Sequence, residues 1–233
     1  MLAPIHGKPM LQWVHERALA SGARDVLIAT DDETIAAAAK AFGAVARMTS
    51  ATHTSGTDRL AELAAIERWP EADIVVNVQG DEPLIPPAII RQVAILLESE
   101  PDAAIATLAT PVESLAEFLD PNAVKVVADS KGRALYFSRA PIPWNRDGAP
   151  AGLASQRVFA GARRHVGIYA YRVGALRRLA SLAPTALEKA EKLEQLRALE
   201  HGMVIRVADA TETPGPDVNT AEDLQRVAAL IAT

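Results

Sequence analysis

Apolar positions along the chain follow two spacings, one typical of helices and one typical of buried strands. Residues 10–20 place Met10, Leu11, Val14 and Ala18 on one helical face. The same period predicts helices over 31–42, 57–69, 87–99, 113–119, 173–200 (two helices, broken near Pro184) and 219–231. Short apolar or β-branched runs predict strands over 25–30, 73–79, 103–109, 123–129, 134–139, 165–171 and 203–208. This alternation of strands with helices predicts an α/β fold with a mostly parallel sheet.

Local signals refine that outline. Thr30 and Glu33 stand at the spacing of a capping box for the second helix, and Thr220 and Asp223 do so for the last. Ser130-Lys131-Gly132 predicts a hairpin turn between two strands. Residues 140–163 form a long loop without periodicity, and such loops are often functional. We therefore expect a single domain over 1–233, with a smaller mixed β substructure and a lid-like subregion over 123–172.

Composition narrows the class of protein. The 233 residues include no cysteine, which excludes disulfides, zinc ribbons, iron–sulfur clusters and thiol nucleophiles. The 24 basic and 29 acidic residues give a net charge of −5, which argues against a nucleic-acid partner. No apolar run reaches the ~20 residues of a membrane span, and the first residues lack the apolar core of a signal peptide. We expect a cytoplasmic protein with no membrane partner.

Two polar loops are candidates for chemistry. Gln79-Gly80-Asp81-Glu82 follows a buried strand, where carboxylates suit a hard cation, although Asp81 could equally cap the helix after Pro86. The Gly- and hydroxyl-rich loop over 52–59 precedes a helix and offers N–H groups to an anion. A simple Ser or Thr helix cap is the commoner explanation of such a loop.

Other polar segments are less specific. Arg163-Arg164-His165 enters a predicted strand, and the charged helix around 187–202 has the composition of a solvated face. No two histidines stand at metal-ligand spacing, so zinc is not expected. The sequence contains no GxSxG, GxxxxGK[ST] or GxGxxG motif, which lowers the expectation of a serine hydrolase, a P-loop NTPase or a dinucleotide enzyme.

Taken together, these segments resemble the 3-deoxy-manno-octulosonate cytidylyltransferase family. The resemblance covers nearly the whole chain in family order. Its most specific stretches are SGTDR (55–59), QGDEP (79–83), YFSRAPIP (136–143) and LEQLR (193–197). HGKPM (6–10), NAVKVV (122–127), RHVGIYAYR (164–172) and VNTAEDL (218–224) add to it.

The resemblance implies a three-layer nucleotidyltransferase fold of the glycosyltransferase-A type. It implies that CTP and the acidic sugar Kdo (3-deoxy-D-manno-octulosonate) give CMP-Kdo and pyrophosphate, with Mg²⁺, for lipopolysaccharide biosynthesis. It also implies a cytoplasmic homodimer that uses the 123–172 subregion for the dimer or the substrate. A cytidylyltransferase for another acidic sugar, such as an amino-Kdo or a sialic acid, is the nearest alternative, and a non-catalytic relative is the second.

The resemblance also implies roles for individual residues. The metal ligands of the family match Asp81 and Asn219. The catalytic residues of the family match Asp81, Arg59 and Arg139. The nucleotide contacts match Ser55, Gly56, Arg59 and Gln79. The contacts to the sugar acid match Arg139, Arg164, His165, Tyr169, Glu194 and Gln195.

Two departures from the family pattern stand out. The second metal ligand of the family is Asp, whereas this chain has Asn219, which keeps a carbonyl oxygen but loses a negative charge. The family also begins with a central strand and a phosphate-binding loop, and this chain starts beyond both. We expect either a native protein with about 20 more residues or a true loss, in which the neighbouring strands would keep unpaired buried groups costing roughly 1–3 kcal/mol each.

Overall fold

The structure is a computed structural model that describes residues 1–53, 55–149 and 151–231. The helices are α1 Met10–Ala20, α2 Glu33–Ala41, α3 Gly56–Ile66, α4 Pro87–Ser99, α5 Leu115–Leu119, α6 Val173–Ser181, α7 Ala186–Glu191, α8 Gln195–Glu200 and α9 Ala221–Ile231. The strands are β1 Pro4–Ile5, β2 Lys8–Pro9, β3 Leu27–Thr30, β4 Val45–Met48, β5 Ile74–Asn77, β6 Ile105–Pro111, β7 Lys125–Ala128, β8 Ala134–Ser138, β9 Arg163–Arg172 and β10 Ile205–Asp209. None of the helices in these ranges is long and apolar enough to cross a membrane.

A six-stranded sheet organises the molecule around its longest strand, β9. One edge of β9 pairs with β6, and the other edge pairs with β7 at its start and with β5 at its end. Strand β10 lies outside β6, and β8 lies outside β7 as the predicted hairpin. Strands β3 and β4 form a separate parallel pair, and β1 and β2 a small antiparallel one.

The sheet is mixed, so the expectation of a mostly parallel sheet is wrong. Strand β9 runs antiparallel to β5, β6 and β7, and among the described residues only β10–β6 is a parallel pair within the large sheet. The chain returns through the 140–163 loop and re-enters the middle of the sheet in the opposite direction. Apolar periodicity gives the length of a strand but not its direction.

Two apolar cores cover the two faces of the large sheet and establish the three layers. On one face, Ile105 and Ala109 of β6 pack with α3, α6 and α8. On the other face, Ala106 and Leu108 pack with α1 and α4. The alternation along a single strand thus supplies both cores, as the pleat of a buried strand requires.

Several local predictions need correction. Strand β4 was not predicted, and the segment 173–200 contains three helices, because Lys192 adopts a left-handed conformation (φ 55°) after α7. Helix α2 is capped by Asp32, whose carboxylate accepts from the N–H of Thr34 (2.7 Å), and not by Thr30. The capping box at Thr220 is confirmed, since its hydroxyl and the carboxylate of Asp223 each accept from the other residue's backbone N–H.

Candidate active site

The polar residues at the carboxyl ends of β3, β4 and β5 meet at the first turn of α3. The guanidinium of Arg59 donates to the hydroxyl of Thr49 (2.6 Å), just after β4, and pairs with Asp31 (3.1 Å), just after β3. Gly56 lies against the end of β5, so that a Cβ placed there would be 3.5 Å from the amide nitrogen of Asn77. Ligands of α/β proteins bind at this end of the strands.

The loop before α3 has two roles. Ser55 is the helix cap, since its hydroxyl accepts from the N–H of Asp58 (3.1 Å), which confirms the simpler explanation of the motif. The same loop also contacts the binding region, because Gly56 faces Asn77 and the side-chain amide of Gln79. The structure thus brings together the four predicted nucleotide contacts, while Thr54 of this loop lies outside the described residues.

Glu194 joins this loop to the opposite side of the cleft. Its carboxylate accepts from the hydroxyls of Ser55 (3.1 Å) and Thr57 (2.6 Å), across more than 130 positions of sequence. Arg197, one turn further along, pairs with Glu194 (3.5 Å) and donates to Glu188 (2.8 Å). A residue predicted to bind the sugar is therefore in direct contact with the predicted nucleotide loop.

Four rings line one face of the sheet beside Glu194. Phe137 contacts His165, His165 contacts Tyr169, and Tyr169 stacks on Tyr171, with ring centroids 5.1–5.8 Å apart. A bulge in the β6–β9 pairing at Thr107 shortens the distance between His165 and Tyr169 along β9. Burial raises the pKa of Tyr169 well above its ordinary value, so its phenol stays protonated.

Thr107 fixes the tautomer of His165. Its hydroxyl has one proton, which points toward the carbonyl oxygens of Ile168 (2.7 Å) and Val166 (3.1 Å). The same oxygen therefore accepts from Nε2–H of His165 (2.9 Å), and Nδ1 carries the lone pair. Burial lowers the pKa of His165 to about 3, so the ring is neutral at physiological pH.

This shift predicts a pH-dependent stability that belongs to His165. Below pH 6.5 the unfolded chain binds a proton that the folded ring rejects, so the free energy of unfolding falls as pH drops from about 6.5 toward 3. We expect His165→Gln to lose less stability than the wild type between pH 7 and pH 5, by roughly 2 kcal/mol. Urea unfolding at both pH values measures this difference, and identical pH slopes in the two proteins would contradict it.

The two predicted sugar-binding arginines occupy different surroundings. Arg139 lies in the same region as Glu194, and its guanidinium donates to the carbonyl oxygens of Glu191 (2.7 Å) and Pro121 (2.9 Å). Arg164 instead pairs with Glu117 (3.1 Å) and borders a separate cavity of about 500 Å³. Consecutive residues of a strand point to opposite faces, so the structure places Arg164 away from His165 and its ring contacts.

An acidic corner lies where the turn after β5 meets the segment before α9. The N–H of Val218 donates to the carbonyl oxygen of Asp81 (2.9 Å), which brings Asn219 beside Asp81 in space. Helix α4 has Pro86 at its N-cap and no side-chain cap, so the alternative of Asp81 as a helix cap is wrong. Burial, with the charges of Asp81 and Asp217, raises the pKa of Glu82 to about 7.

The acidic corner offers part of the coordination shell of a divalent cation, and other ligands would complete that shell. The amide nitrogen of Asn219 donates to Asp217 (2.7 Å), which turns the Asn219 carbonyl oxygen away from that carboxylate. One buried oxygen of Glu82 has no hydrogen-bond partner. Within the described ranges no three acidic or histidine side chains form a complete metal cluster. This donor set matches Mg²⁺, which takes one or two carboxylates and completes its shell with phosphates and water.

Several site residues were not predicted from the sequence. They are Asp31 and Thr49, which hold Arg59, Thr107, which orients His165, and Glu188 and Arg197, which support Glu194. Thr107 alone carries a visible signal, as the one hydroxyl in the apolar run predicted as a strand over 103–109. The others are ordinary polar residue types, and no motif in the sequence marks which residue each of them contacts.

The three layers and the polar cleft at the strand ends define an α/β nucleotidyltransferase. A nucleotidyl transferase from Methanothermobacter thermautotroptrophicus shares this fold, with a TM-score of 0.61 at 14% identity, over 100% of this chain and 84% of that one. The family described as Cytidylyltransferase matches residues 1–205. The chain belongs to the cytidylyltransferase family.

Full-length relatives refine this assignment. The chain is 53% identical to the 3-deoxy-manno-octulosonate cytidylyltransferase of Thioalkalivibrio sulfidiphilus over 230 residues, 99% of this chain and 91% of that protein. The enzyme of the same name from Vibrio parahaemolyticus is 53% identical over 231 residues, again 99% and 91%. A solved CMP:2-keto-3-deoxy-manno-octonic acid synthetase complexed with CTP matches with a TM-score of 0.87 and 42% identity, over 99% of this chain and 90% of that one. The family resemblance seen in the sequence is confirmed.

Proposed function

We propose that the chain transfers a cytidylyl group from CTP to Kdo, producing CMP-Kdo and pyrophosphate for lipopolysaccharide assembly. One observation carries this proposal: the Glu194 carboxylate accepts from the hydroxyls of Ser55 and Thr57, so a residue predicted to bind the sugar contacts the loop predicted to bind the nucleotide. The names of the full-length relatives and the solved CTP complex support it.

The reaction needs charge neutralisation and alignment. An anomeric hydroxyl oxygen of Kdo attacks the α-phosphorus of CTP, the bond to the β-phosphate breaks, pyrophosphate leaves with the electron pair, and the hydroxyl proton is released. Both substrates are anions, so preorganised cationic side chains lower the barrier. Arg59 and Arg139 serve this role, and their contacts to Asp31, Thr49 and backbone carbonyls hold them in place before substrate binds.

We further propose that Asp81 and Asn219 hold Mg²⁺. An ion bound there would supply positive charge to the phosphates of CTP, which the two anionic substrates need. The chain contributes one carboxylate and one amide oxygen, and the adjacent carboxylate of Asp217 favours a cation at this corner.

Asn219→Asp tests the metal assignment. The substitution restores the carboxylate of the family pattern and places it where Asn219 now donates to Asp217 at 2.7 Å. We expect the Mg²⁺ concentration for half-maximal activity to fall several-fold, and the melting temperature without metal to fall because two carboxylates repel. Titration of activity and of thermal stability with Mg²⁺ measures both effects. An unchanged or higher Mg²⁺ requirement would contradict the assignment of Asn219 as a metal ligand.

Product analysis tests the reaction itself. The purified chain is incubated with CTP, Kdo and Mg²⁺, and CMP-Kdo and pyrophosphate are quantified by mass spectrometry; we expect them in equal amounts. In parallel reactions an amino-Kdo or a sialic acid replaces Kdo, or UTP replaces CTP. Faster turnover with another acidic sugar would mean that this sugar, and not Kdo, is the substrate. CTP binding without product from any sugar would favour the non-catalytic alternative.

We also propose a cytoplasmic homodimer. Leu135, Trp144 and Leu153, all in the 123–172 subregion, are 60%, 42% and 56% exposed, and a second copy of the chain packed on this subregion would cover them. The location is proposed because CTP is a cytoplasmic metabolite. Sedimentation of the wild type and of Leu135→Asp tests the dimer, and a monomeric wild type would contradict it.

A further inference from the structure

A fully buried lysine holds a loop that borders the candidate site. Lys125 is the first residue of β7 and is 0% exposed. Lysine is almost never fully buried unless its ammonium group is paired. Here Nζ donates to the carbonyl oxygens of Asp120 (2.7 Å) and Ala123 in the loop 120–124, which connects α5 to β7. One ammonium group therefore binds this loop at two points.

Two further carbonyl groups of the loop are bound by residues of the candidate site. The carbonyl oxygen of Pro121 accepts from Nη1 of Arg139 (2.9 Å). The carbonyl oxygen of Val124 accepts from the backbone N–H of His165 (2.8 Å). Both Arg139 and His165 are predicted contacts of the sugar acid. The loop therefore connects the buried ammonium group to the predicted sugar subsite through its backbone.

The loop helps to set the orientation of the Arg139 guanidinium group. Nε donates to the carbonyl oxygen of Glu191 (2.7 Å), and Nη1 donates to that of Pro121. Glu191 is itself fixed, since its carboxylate accepts from the Ser138 hydroxyl (2.6 Å) and from the backbone N–H of Arg139 (2.9 Å). A planar guanidinium group bound at two nitrogens has one orientation, whereas a bond at Nε alone lets the group turn. The Pro121 carbonyl therefore decides where the other N–H groups of Arg139 point.

The bonds from Lys125 keep that carbonyl group in place. Asp120, Pro121 and Asn122 are exposed, and proline has no N–H with which to anchor the backbone. The Asp120 carboxylate accepts from the N–H of Asn122 (2.8 Å), which is a turn within the loop itself. The two bonds from Nζ lie on either side of Pro121 and tie this exposed stretch to the buried start of β7. Without them we expect the Pro121 carbonyl to move.

We propose that Lys125 is a positioning residue, which acts through the loop 120–124 to hold the Arg139 guanidinium group in the orientation that receives the carboxylate of an acidic sugar. A guanidinium group binds a carboxylate through two parallel bonds, so its orientation decides the affinity. The inference deepens the proposed function and rests on it, because it concerns the subsite for the sugar acid. Lys125 is fully buried and acts on the sugar only through Arg139.

Lys125→Met tests this role, because methionine fills similar space and cannot donate to the loop. The matched control is Arg172→Met. Arg172 is also a cation bound to backbone carbonyl groups, those of Leu97 (2.9 Å) and Ala103 (3.1 Å), but it lies beside the start of β5, at the end of that strand away from the candidate site. Both variants lose a cation that holds backbone, and only the first is connected to Arg139.

The first readout is the rotation of the Arg139 guanidinium group about its Nε–Cζ bond, followed by NMR of the full chain and assigned with Arg139→Lys. This rotation exchanges Nη1 with Nη2, so the bond to Pro121 hinders it. We expect Lys125→Met to speed the rotation at least about tenfold, as the loss of one hydrogen bond predicts. Arg172→Met should lower the melting temperature and leave the rotation as in the wild type.

The second readout is the KM for each substrate. We expect Lys125→Met to raise the KM for Kdo at least about tenfold, since a misplaced binding group costs up to about a hundredfold, and to change the KM for CTP less than about twofold. In an Arg139→Ala background, Lys125→Met should not raise the KM for Kdo further, because the two residues act as one unit.

Three results would overturn the proposal: unchanged rotation of Arg139 in Lys125→Met, an equal rise of the KM for Kdo in Lys125→Met and Arg172→Met, or additive effects of Lys125→Met and Arg139→Ala. A wild type that makes no CMP-Kdo would contradict the proposed function instead, and the rotation of Arg139 would still decide the role of Lys125.

A measurement on the wild type decides the same question if Lys125→Met does not fold. Over a series of mild urea concentrations, the Lys125 ammonium protons and the Arg139 guanidinium protons should lose their protection from exchange together, because one opening of the loop frees both groups. Protection that is lost at Lys125 and kept at Arg139 would show that Arg139 is held without the lysine, and the proposal would be wrong.

Discussion

Asp81→Asn is expected to lower the turnover of cytidylyl transfer at least about a hundredfold, because catalysis at a phosphate centre is largely electrostatic. Asp81 contributes the carboxylate of the proposed cation site, and the backbone bond from Val218 to its carbonyl oxygen holds it beside Asn219. The amide keeps the size of the side chain and removes its charge. Turnover at saturating CTP and Kdo measures the effect.

The matched control is Asp217→Asn, in the same acidic corner. Asp217 accepts from the Asn219 amide and is not a proposed ligand, so its loss should change turnover much less. CTP affinity, measured by calorimetry with and without Mg²⁺, separates the metal role from a folding defect. Asp81→Asn should remove the Mg²⁺-dependent part of that affinity and leave the melting temperature nearly unchanged. Full activity in Asp81→Asn would mean that this carboxylate does not hold the metal.

Helices were the most predictable part of the fold, because their apolar period is long and repeated. Helix α4 occupies 87–99 as predicted, with a proline at its start. Strand β4 was missed because its four residues are half-exposed and include Arg47, so no apolar run marks them. The direction of β9 is not encoded in its pattern, and only pairing with β5, β6 and β7 shows that the sheet is mixed.

The candidate site was predictable where its residues are close in sequence. The loop at 55–59 and the turn at 79–82 stand out as polar interruptions next to apolar runs, and the structure joins them. The contact of Thr57 with Glu194 spans 137 positions, and no local spacing reveals it. Arg164 was grouped with His165 by motif alone, although strand alternation sends the two side chains to opposite faces.

Arg197→Met is expected to destabilise the fold by about 3–5 kcal/mol, the largest stability effect that we predict. The Arg197 side chain is 7% exposed, and it donates to Glu188 (2.8 Å) and to the carbonyl oxygens of Leu179 and Leu182. Methionine fills similar space but leaves the carboxylate of Glu188, itself 12% exposed, without its cation. Urea unfolding at pH 7 measures the change.

An exposed ion pair provides the control. Arg226→Met breaks the bond to Asp223 (2.6 Å), but Arg226 is 60% exposed, so the loss should stay below about 1 kcal/mol. The double variant Arg197→Met with Glu188→Leu should recover much of the stability, because an apolar pair replaces the buried ion pair. If the double variant is no more stable than Arg197→Met, the lost stability comes from packing around Arg197 and not from the unpaired charge of Glu188.

Acid provides an independent test of the same pair. The bond from Arg197 holds the pKa of Glu188 below its ordinary value, so the stabilisation from Glu188 is present above about pH 4.5 and is lost as pH falls through the lowered pKa. In Arg197→Met this part of the acid sensitivity should disappear. Arg197 also pairs with Glu194, which holds Thr57, so the variant should weaken CTP binding as well as the fold. Weaker CTP binding with an unchanged acid profile would mean that Arg197 acts on the site through Glu194 and not through Glu188.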